Sequence, residues 1–346
     1  MKTVIRPLSL LPLAALVLTA CGPQKQPPLH KAEGTKPSPT REIKIAVIPK
    51  GTTHEFWKSI HAGAVKAQRE YAAKGTKIDL IWKGPLKEDD REQQIQVVEN
   101  FIGRQVSGMV LAPLDSKALV SPVESSVSAG IPVVIIDSGL ESDRPASTVS
   151  TDNFRGGVTA AREMGRLLSG RGNLIVLRYA VGSASTEARE KGFMDTLTSE
   201  FPGIKVLSSD QYAGPTRETS YQASQNLLNK FGKNIQGVYT PNESSTSGMT
   251  LALKDAGLAG GKVKHVGFDA STILVESLRK GDIQALVIQD PFRMGYQGVI
   301  TLMHVLEGKP VEKSVDTGVG LVTRENIDKP EVQAQINPPL REYLGE

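Results

Sequence analysis

Two periodicities alternate along the chain. Short runs of continuously apolar, often β-branched residues are separated by longer stretches in which apolar residues return every three or four positions. The first pattern marks a strand buried on both faces, the second a helix with one face on a core. Ile43–Ile48 is the first such run, followed by a helical stretch over 56–73. Ile78–Trp82 precedes a helix over 91–104, residues 109–112 lead into one over 116–129, and 132–136 ends the series. The pattern then restarts. A helical face of Phe154, Val158, Ala161 and Leu168 spans 153–169, and strand runs recur at 174–177, 204–207, 237–240, 263–268 and Ala285–Ile288.

Two consecutive series of this kind predict an α/β protein of two Rossmann-like lobes, each a parallel sheet covered by helices on both faces. In open parallel sheets ligands bind beyond the carboxyl ends of the strands. The residues in those places are His54 after the first strand, Asp137, Asn242, Asp269 and Gln289-Asp290. Any one could simply cap the helix that follows. Polar side chains after strand after strand, in both lobes, point further, to a site shared between them.

Charge changes the picture at one end only. The chain of 346 residues carries 41 Lys and Arg against 37 Asp and Glu, a formal +4. Residues 1–41 hold six of those basic groups against Glu33 alone, so the remainder, 35 basic and 36 acidic, is nearly neutral. A nucleic-acid partner would need a basic face on the folded part, and none is expected. Lys2 and Arg6 followed by an apolar run over 8–18 form a signal segment over 1–20, too short to span a bilayer. The sole cysteine, Cys21, directly follows Leu18-Thr19-Ala20 and resembles a bacterial lipobox, in which the cysteine is acylated after cleavage. Residues 21–41 contain five prolines and little apolar surface, which predicts a flexible tether. No later segment has the length of a membrane span.

At these residues the body of the chain resembles the ribose-binding type of periplasmic sugar-binding proteins, over about residues 44–323. The markers are Phe56-Trp57, Ile131-Pro132-Val133 leading to Asp137, Thr151-Asp152-Asn153 with Gly156-Gly157, Gly182 to Thr186, Arg189 to Phe193, and Gly267-Phe268-Asp269. The resemblance implies lobes joined by three crossings at a hinge, one of 42–150 plus 290–316 and the other of 151–289 plus 317–346. It also implies a monomer that closes on a monosaccharide or polyol and passes it to an ABC permease in the membrane, without cofactor or metal, at the extracytoplasmic face. Carried over position by position, the ligand contacts are His54, Phe56, Trp57 and Asp137 from the first lobe. Arg189, Asn242, Asp269 and Gln289 come from the second lobe and hinge.

These residue types suit a sugar. The aromatic pair offers flat apolar surface to C–H faces, unless both belong to the helix core. Asp137 and Asp269 accept hydroxyl hydrogens, Arg189 donates in a fixed fork, and the two amides do both. A helix-face ion pair is the alternative for Arg189. Ala112 and Ser138 stand where the family offers an amide and an arginine, which disfavours ribose itself and leaves Lys50, Thr53 or His54 to compensate. A sugar-responsive repressor would need a DNA-binding segment where the leader and tether stand. An enzyme on this scaffold lacks its signatures, since there is no GxGxxG, GxxxxGK[ST], HExxH or GxSxG, and the five histidines are scattered. A sensory receptor feeding a membrane signalling protein remains the alternative to transport.

Overall fold

The computed structural model describes residues 42–52 and 54–345. The signal segment, Cys21, the tether and Thr53 lie outside the described residues.

The first series folds as β1 (Ile43–Ile48), α1 (Glu55–Ala73), β2 (Ile78–Trp82), α2 (Arg91–Gly103), β3 (Gly108–Leu111), α3 (Val120–Ser128), β4 (Val133–Ile136) and β5 (Ser147–Ser150). The second continues with α4 (Asn153–Leu167), β6 (Arg171–Arg178), α5 (Ala184–Glu200), β7 (Gly203–Tyr212), α6 (Arg217–Phe231) and β8 (Gly237–Tyr239). It ends with α7 (Glu243–Asp255), β9 (Lys264–Phe268), α8 (Thr272–Lys280) and β10 (Ala285–Ile288). After these come α9 (Pro291–Leu306), β11 (Ser314–Asp316), β12 (Gly320–Thr323), α10 (Pro330–Ile336) and α11 (Leu340–Leu344).

The strands form two six-stranded sheets in the orders β2-β1-β3-β4-β5-β11 and β7-β6-β8-β9-β10-β12. The first five strands of each follow the same path, so the two lobes repeat one doubly wound plan. All pairings are parallel except β12 with β10, because the chain turns back after crossing from β11 in the first sheet to β12 in the second. With the crossings after β5 and after β10, three connections join the lobes. The continuously apolar strands are buried on both faces: Ile45, Val47, Val110, Val134 and Ile136 meet α1 and α9 on one side, while Ala46, Ile48, Met109, Leu111, Val133 and Ile135 meet α2 and α3 on the other. The second sheet is packed between two corresponding clusters, with a third beneath β10 and β12.

Each lobe contains a helix pair whose backbones touch through glycine. A Cβ on Gly63 of α1 would lie 1.9 Å from the Phe292 carbonyl oxygen, and one on Gly295 of α9 equally close to that of Ile60. In α4 and α5, Gly157 and Gly192 play the same reciprocal part, with 2.0 and 2.1 Å to the carbonyl oxygens of Arg189 and Phe154. No side chain fits there without separating the helices.

Several boundaries differ from the periodicity reading. The helix expected from 116 begins at Val120, because the Asp115 carboxylate accepts the backbone N–H groups of Lys117 and Ala118 and holds a turn first. The strand expected over 204–207 runs on to Tyr212. β5, β11 and β12 carry too little apolar sequence to announce themselves. The segment 317–346 was expected in the second lobe, yet its last helix, α11, lies against α1 of the first. Arg69 donates to the carbonyl oxygens of Glu342 and Tyr343 at 2.9 and 3.1 Å, and the Tyr343 ring packs on Phe292. α10 does stay with the second lobe, through Val332 and Ile336.

Candidate functional site

The loops at the carboxyl ends of the two sheets line one narrow cavity of about 30 Å³ between the lobes. All eight residues singled out from sequence line it: His54, Phe56, Trp57, Asp137, Arg189, Asn242, Asp269 and Gln289. Lys50, Glu88, Tyr179, Ser183, Ser185, Thr186 and Glu243 complete the wall.

Two aspartates anchor the cavity by the same device, one per lobe. Asp137 follows β4 with φ of +64° and Asp269 follows β9 with φ of +70°. Among residues with a side chain, Asp and Asn enter this left-handed region most readily. The backbone N–H of each still joins the neighbouring strand, Asp137 to the Val149 carbonyl at 3.1 Å and Asp269 to that of Val287 at 2.8 Å. The sheet therefore runs to its last residue, and the reversed turn then presents a carboxylate to the cleft.

Their partners differ. Lys50, 4% exposed, places Nζ 2.9 Å from Asp137 Oδ2 and donates to Ser185 Oγ of the other lobe at 3.2 Å. Asp269 instead accepts the Gln289 side-chain amide at 2.6 Å and the Glu243 backbone N–H at 3.0 Å. Burial lifts its carboxyl to about 6, against the pull of Arg189 and the Gln289 bond.

Arg189 is 2% exposed and makes no ion pair with a helix-face glutamate. Its Nε donates to Asn153 Oδ1 at 2.8 Å and its Nη1 to the Pro241 carbonyl at 2.9 Å, with the guanidinium 4.0 Å above the Phe268 ring. The neighbouring Glu190 pairs with Arg178 instead. Asn242 does cap α7, its Oδ1 accepting from Ser245, while its amide nitrogen donates to Ser244. Asp290 caps α9. Capping thus accounts for these two members of the strand-end set.

Trp57 belongs to core and cleft alike: it is 3% exposed and packs in the cluster beneath α1, with Phe56 edge-on at 5.0 Å. Its indole N–H donates to Glu88 Oε1 at 2.8 Å. His54 Nδ1 lies 3.3 Å from Glu88 and 3.6 Å from Glu243 of the other lobe. Glu243 is further held by Arg217, Ser247 and Ser271. His61 stacks on Trp82 and takes no part. Nor do the residues at the two departures from the family pattern offer a group to the cavity. The Gln94 amide beside Ala112 is spent on the carbonyls of Ala112 and Pro49 and the N–H of Leu114, and Ser138 Oγ accepts the Ser185 N–H across the lobes at 3.1 Å.

Two buried polar atoms on the wall, Gln289 Oε1 and Ser183 Oγ, have no hydrogen-bond partner among the described residues. Such atoms cost about 1–3 kcal/mol each unless something supplies the bond. The wall therefore combines a flat indole, charged acceptors, a guanidinium and free amide and hydroxyl groups. That is the requirement for a compact molecule with hydroxyls around an apolar ring or chain. Glu88 and Tyr179 were not legible beforehand, because Glu88 sits in a polar stretch between β2 and α2, and Tyr179 reads as the continuation of an apolar strand.

Comparison with known proteins agrees with the geometry. The family model of the periplasmic binding protein domain matches residues 45–310. The chain belongs to that family. Within it the match is to sugar-binding proteins of the ribose-binding type. The D-ribose/D-allose-binding protein of Pseudomonas aeruginosa is 29% identical over 321 residues, covering 90% of this chain and 97% of the relative. The xylitol-binding protein of Mycolicibacterium smegmatis is 26% identical over 313 residues, 90% of this chain and 83% of the relative. A carbohydrate-transporter solute-binding protein of Agrobacterium radiobacter, solved with D-arabinose, superposes with a TM-score of 0.79 at 34% identity. That superposition covers 86% of this chain and 99% of the other. These relatives are solute-binding proteins, and this periplasmic binding protein is no enzyme by that kinship.

Proposed function

We propose that this periplasmic binding protein is the solute receptor of a bacterial ABC sugar importer and encloses a neutral monosaccharide or polyol between its lobes. The carrying observation is the cavity wall, in which Asp137 and Asp269 enter from opposite lobes beside Trp57, Arg189 and the unpaired Gln289 Oε1. A ligand that touches both lobes favours the closed arrangement over any open one, and the permease reads the closed surfaces. The names of the relatives, which bind ribose or allose, xylitol and arabinose, set the range of candidates. Acylation of Cys21 would moor the monomer at the extracytoplasmic face, each buried methylene contributing about 0.8 kcal/mol.

One experiment tests both parts. The full chain and its Cys21→Ser variant are fractionated between membrane and soluble pools, then melted with pentoses, hexoses and polyols. The variant is expected in the soluble pool. At a hundredfold excess over Kd a true ligand adds about 2.7 kcal/mol, and the melting temperature rises by several degrees in both forms. Absence of any rise across the panel would sink the sugar reading, and a variant still sedimenting with membranes would sink the anchor.

A further inference from the structure

Glu88 divides one carboxylate between the two lobes. Its side chain is 9% exposed and sits between β2 and α2. Oε1 accepts the Trp57 indole N–H at 2.8 Å and lies 3.3 Å from His54 Nδ1, both of the first lobe. Oε2 accepts the Tyr179 hydroxyl at 2.9 Å, from the loop after β6 in the second lobe. Burial and the adjacent Glu88 charge both push the Tyr179 phenol well above its ordinary pKa, so the hydroxyl keeps its proton to donate. Bonds to an ionised acceptor are roughly twice as strong as neutral ones, and a buried carboxylate oxygen left without a donor is unfavourable. When the lobes part, Oε2 exchanges Tyr179 for water, and the carboxylate that also holds Trp57 and His54 loses its anchor on the second lobe.

We infer that Glu88 is a positioning residue that couples closure of the lobes to the seating of the Trp57 ring in the cleft, with Tyr179 supplying the closing bond. This rests on the reading that the cleft closes on a ligand, but no ligand is needed to test it. Two other interlobe bonds report closure from different loops: the Ser116 N–H to the Gly182 carbonyl at 3.0 Å, and the Ser185 N–H to Ser138 Oγ at 3.1 Å.

The chain has two tryptophans, so Trp82→Phe, which can keep the stack on His61, leaves Trp57 as the reporter. In that full-length background Tyr179→Phe removes one oxygen, and Glu88→Gln keeps the shape without the charge. Tyr179→Phe is expected to shift Trp57 emission to the red and to open it to acrylamide. It should also speed amide exchange at Ser116 and Ser185 by about tenfold, with exchange in β1 and β9 unchanged as proof of folding. Glu88→Gln should give the same changes at smaller amplitude. Altered Trp57 emission with parental exchange at Ser116 and Ser185 would reduce the bond to local packing and overturn the coupling. Parental behaviour of Glu88→Gln beside a loosened Tyr179→Phe would overturn the role of Glu88. Since no sugar enters, a failed ligand screen beside intact coupling would refute the ligand reading alone.

Discussion

The two lobes share a plan and differ in how they keep a carboxylate under the cleft. Each sheet ends its fourth strand on an aspartate in the left-handed conformation, bonded through its N–H to the fifth strand. In the first lobe the carboxylate is compensated by a buried cation, Lys50 at 2.9 Å. In the second the nearest donors are an amide and a backbone N–H, and the guanidinium of Arg189 is committed to Asn153, Pro241 and the Phe268 ring. One lobe thus pairs its carboxylate with a contacting cation, and the other bonds it to dipoles while the Arg189 charge acts on it without a hydrogen bond. The lesson is that repeating a backbone device does not repeat its electrostatics, because the residues answering the carboxylate come from neighbouring loops that are free to differ.

The sharpest way to break this comparison is to neutralise each aspartate. Asp137→Asn leaves Lys50 buried without its counter-charge, and breaking such a pair costs about 3–5 kcal/mol, a fall in the denaturation midpoint measurable at pH 7. Asp269→Asn keeps a residue tolerant of positive φ and removes a carboxylate that is costly to ionise, so its midpoint at pH 7 should match or exceed the parent. Equal losses in the two variants would erase the distinction.

The next effect is a pH slope. An ordinary aspartate ionises near 3.9, whereas Asp269 stands at about 6 when folded. Between those values the folded protein holds a proton that the unfolded chain has released. Asp269 should therefore lower ligand-free stability as pH rises from about 4 to 6, by up to ~3 kcal/mol, against an opposite contribution over the same range from His265, which burial keeps neutral down to about 3. Asp269→Asn should remove the falling part alone, so its stability climbs more steeply with pH than the parent's between about 4 and 6. Parallel curves for the parent and Asp269→Asn would assign the effect to another group.

The smallest effect sharpens the boundary between lobes. Glu55 Oε2, at the start of α1, accepts the Thr272 N–H and hydroxyl at 2.9 and 3.2 Å and so caps α8 of the opposite lobe. The contact is solvent-exposed, so Glu55→Ala should cost about 0.3–1 kcal/mol and quicken Thr272 amide exchange. A loss of several kcal/mol would mean that the lobes depend on this rim more than on the buried cleft.

Much of this was written in the chain. The central strands were legible because burial on both faces demands unbroken apolar runs, and Ile43–Ile48, Ile78–Trp82 and Ala285–Ile288 fall where periodicity put them. The strand-end polar residues were legible because an α/β sheet gathers its loops at one end. β5, β11 and β12 were not, being short edge or near-edge strands with mixed sequence. Lys50 gave only a weak signal, since nothing in Pro49-Lys50-Gly51 says that its ammonium turns inward to Asp137. Glu88 and Tyr179 gave none, as their meaning lies in a bond between residues 91 positions apart.

The sequence by itself determined the two-lobe α/β plan and the loops that carry the chemistry, because periodicity and strand-end placement are local properties. Only the tertiary structure decided which polar group answers which. Lys50 reached Asp137, Tyr179 reached Glu88, Gln289 kept one oxygen unpaired, and α11 returned to the first lobe. Those choices depend on distances between segments far apart in the chain, and on burial that strengthens a met hydrogen bond and penalises an unmet one.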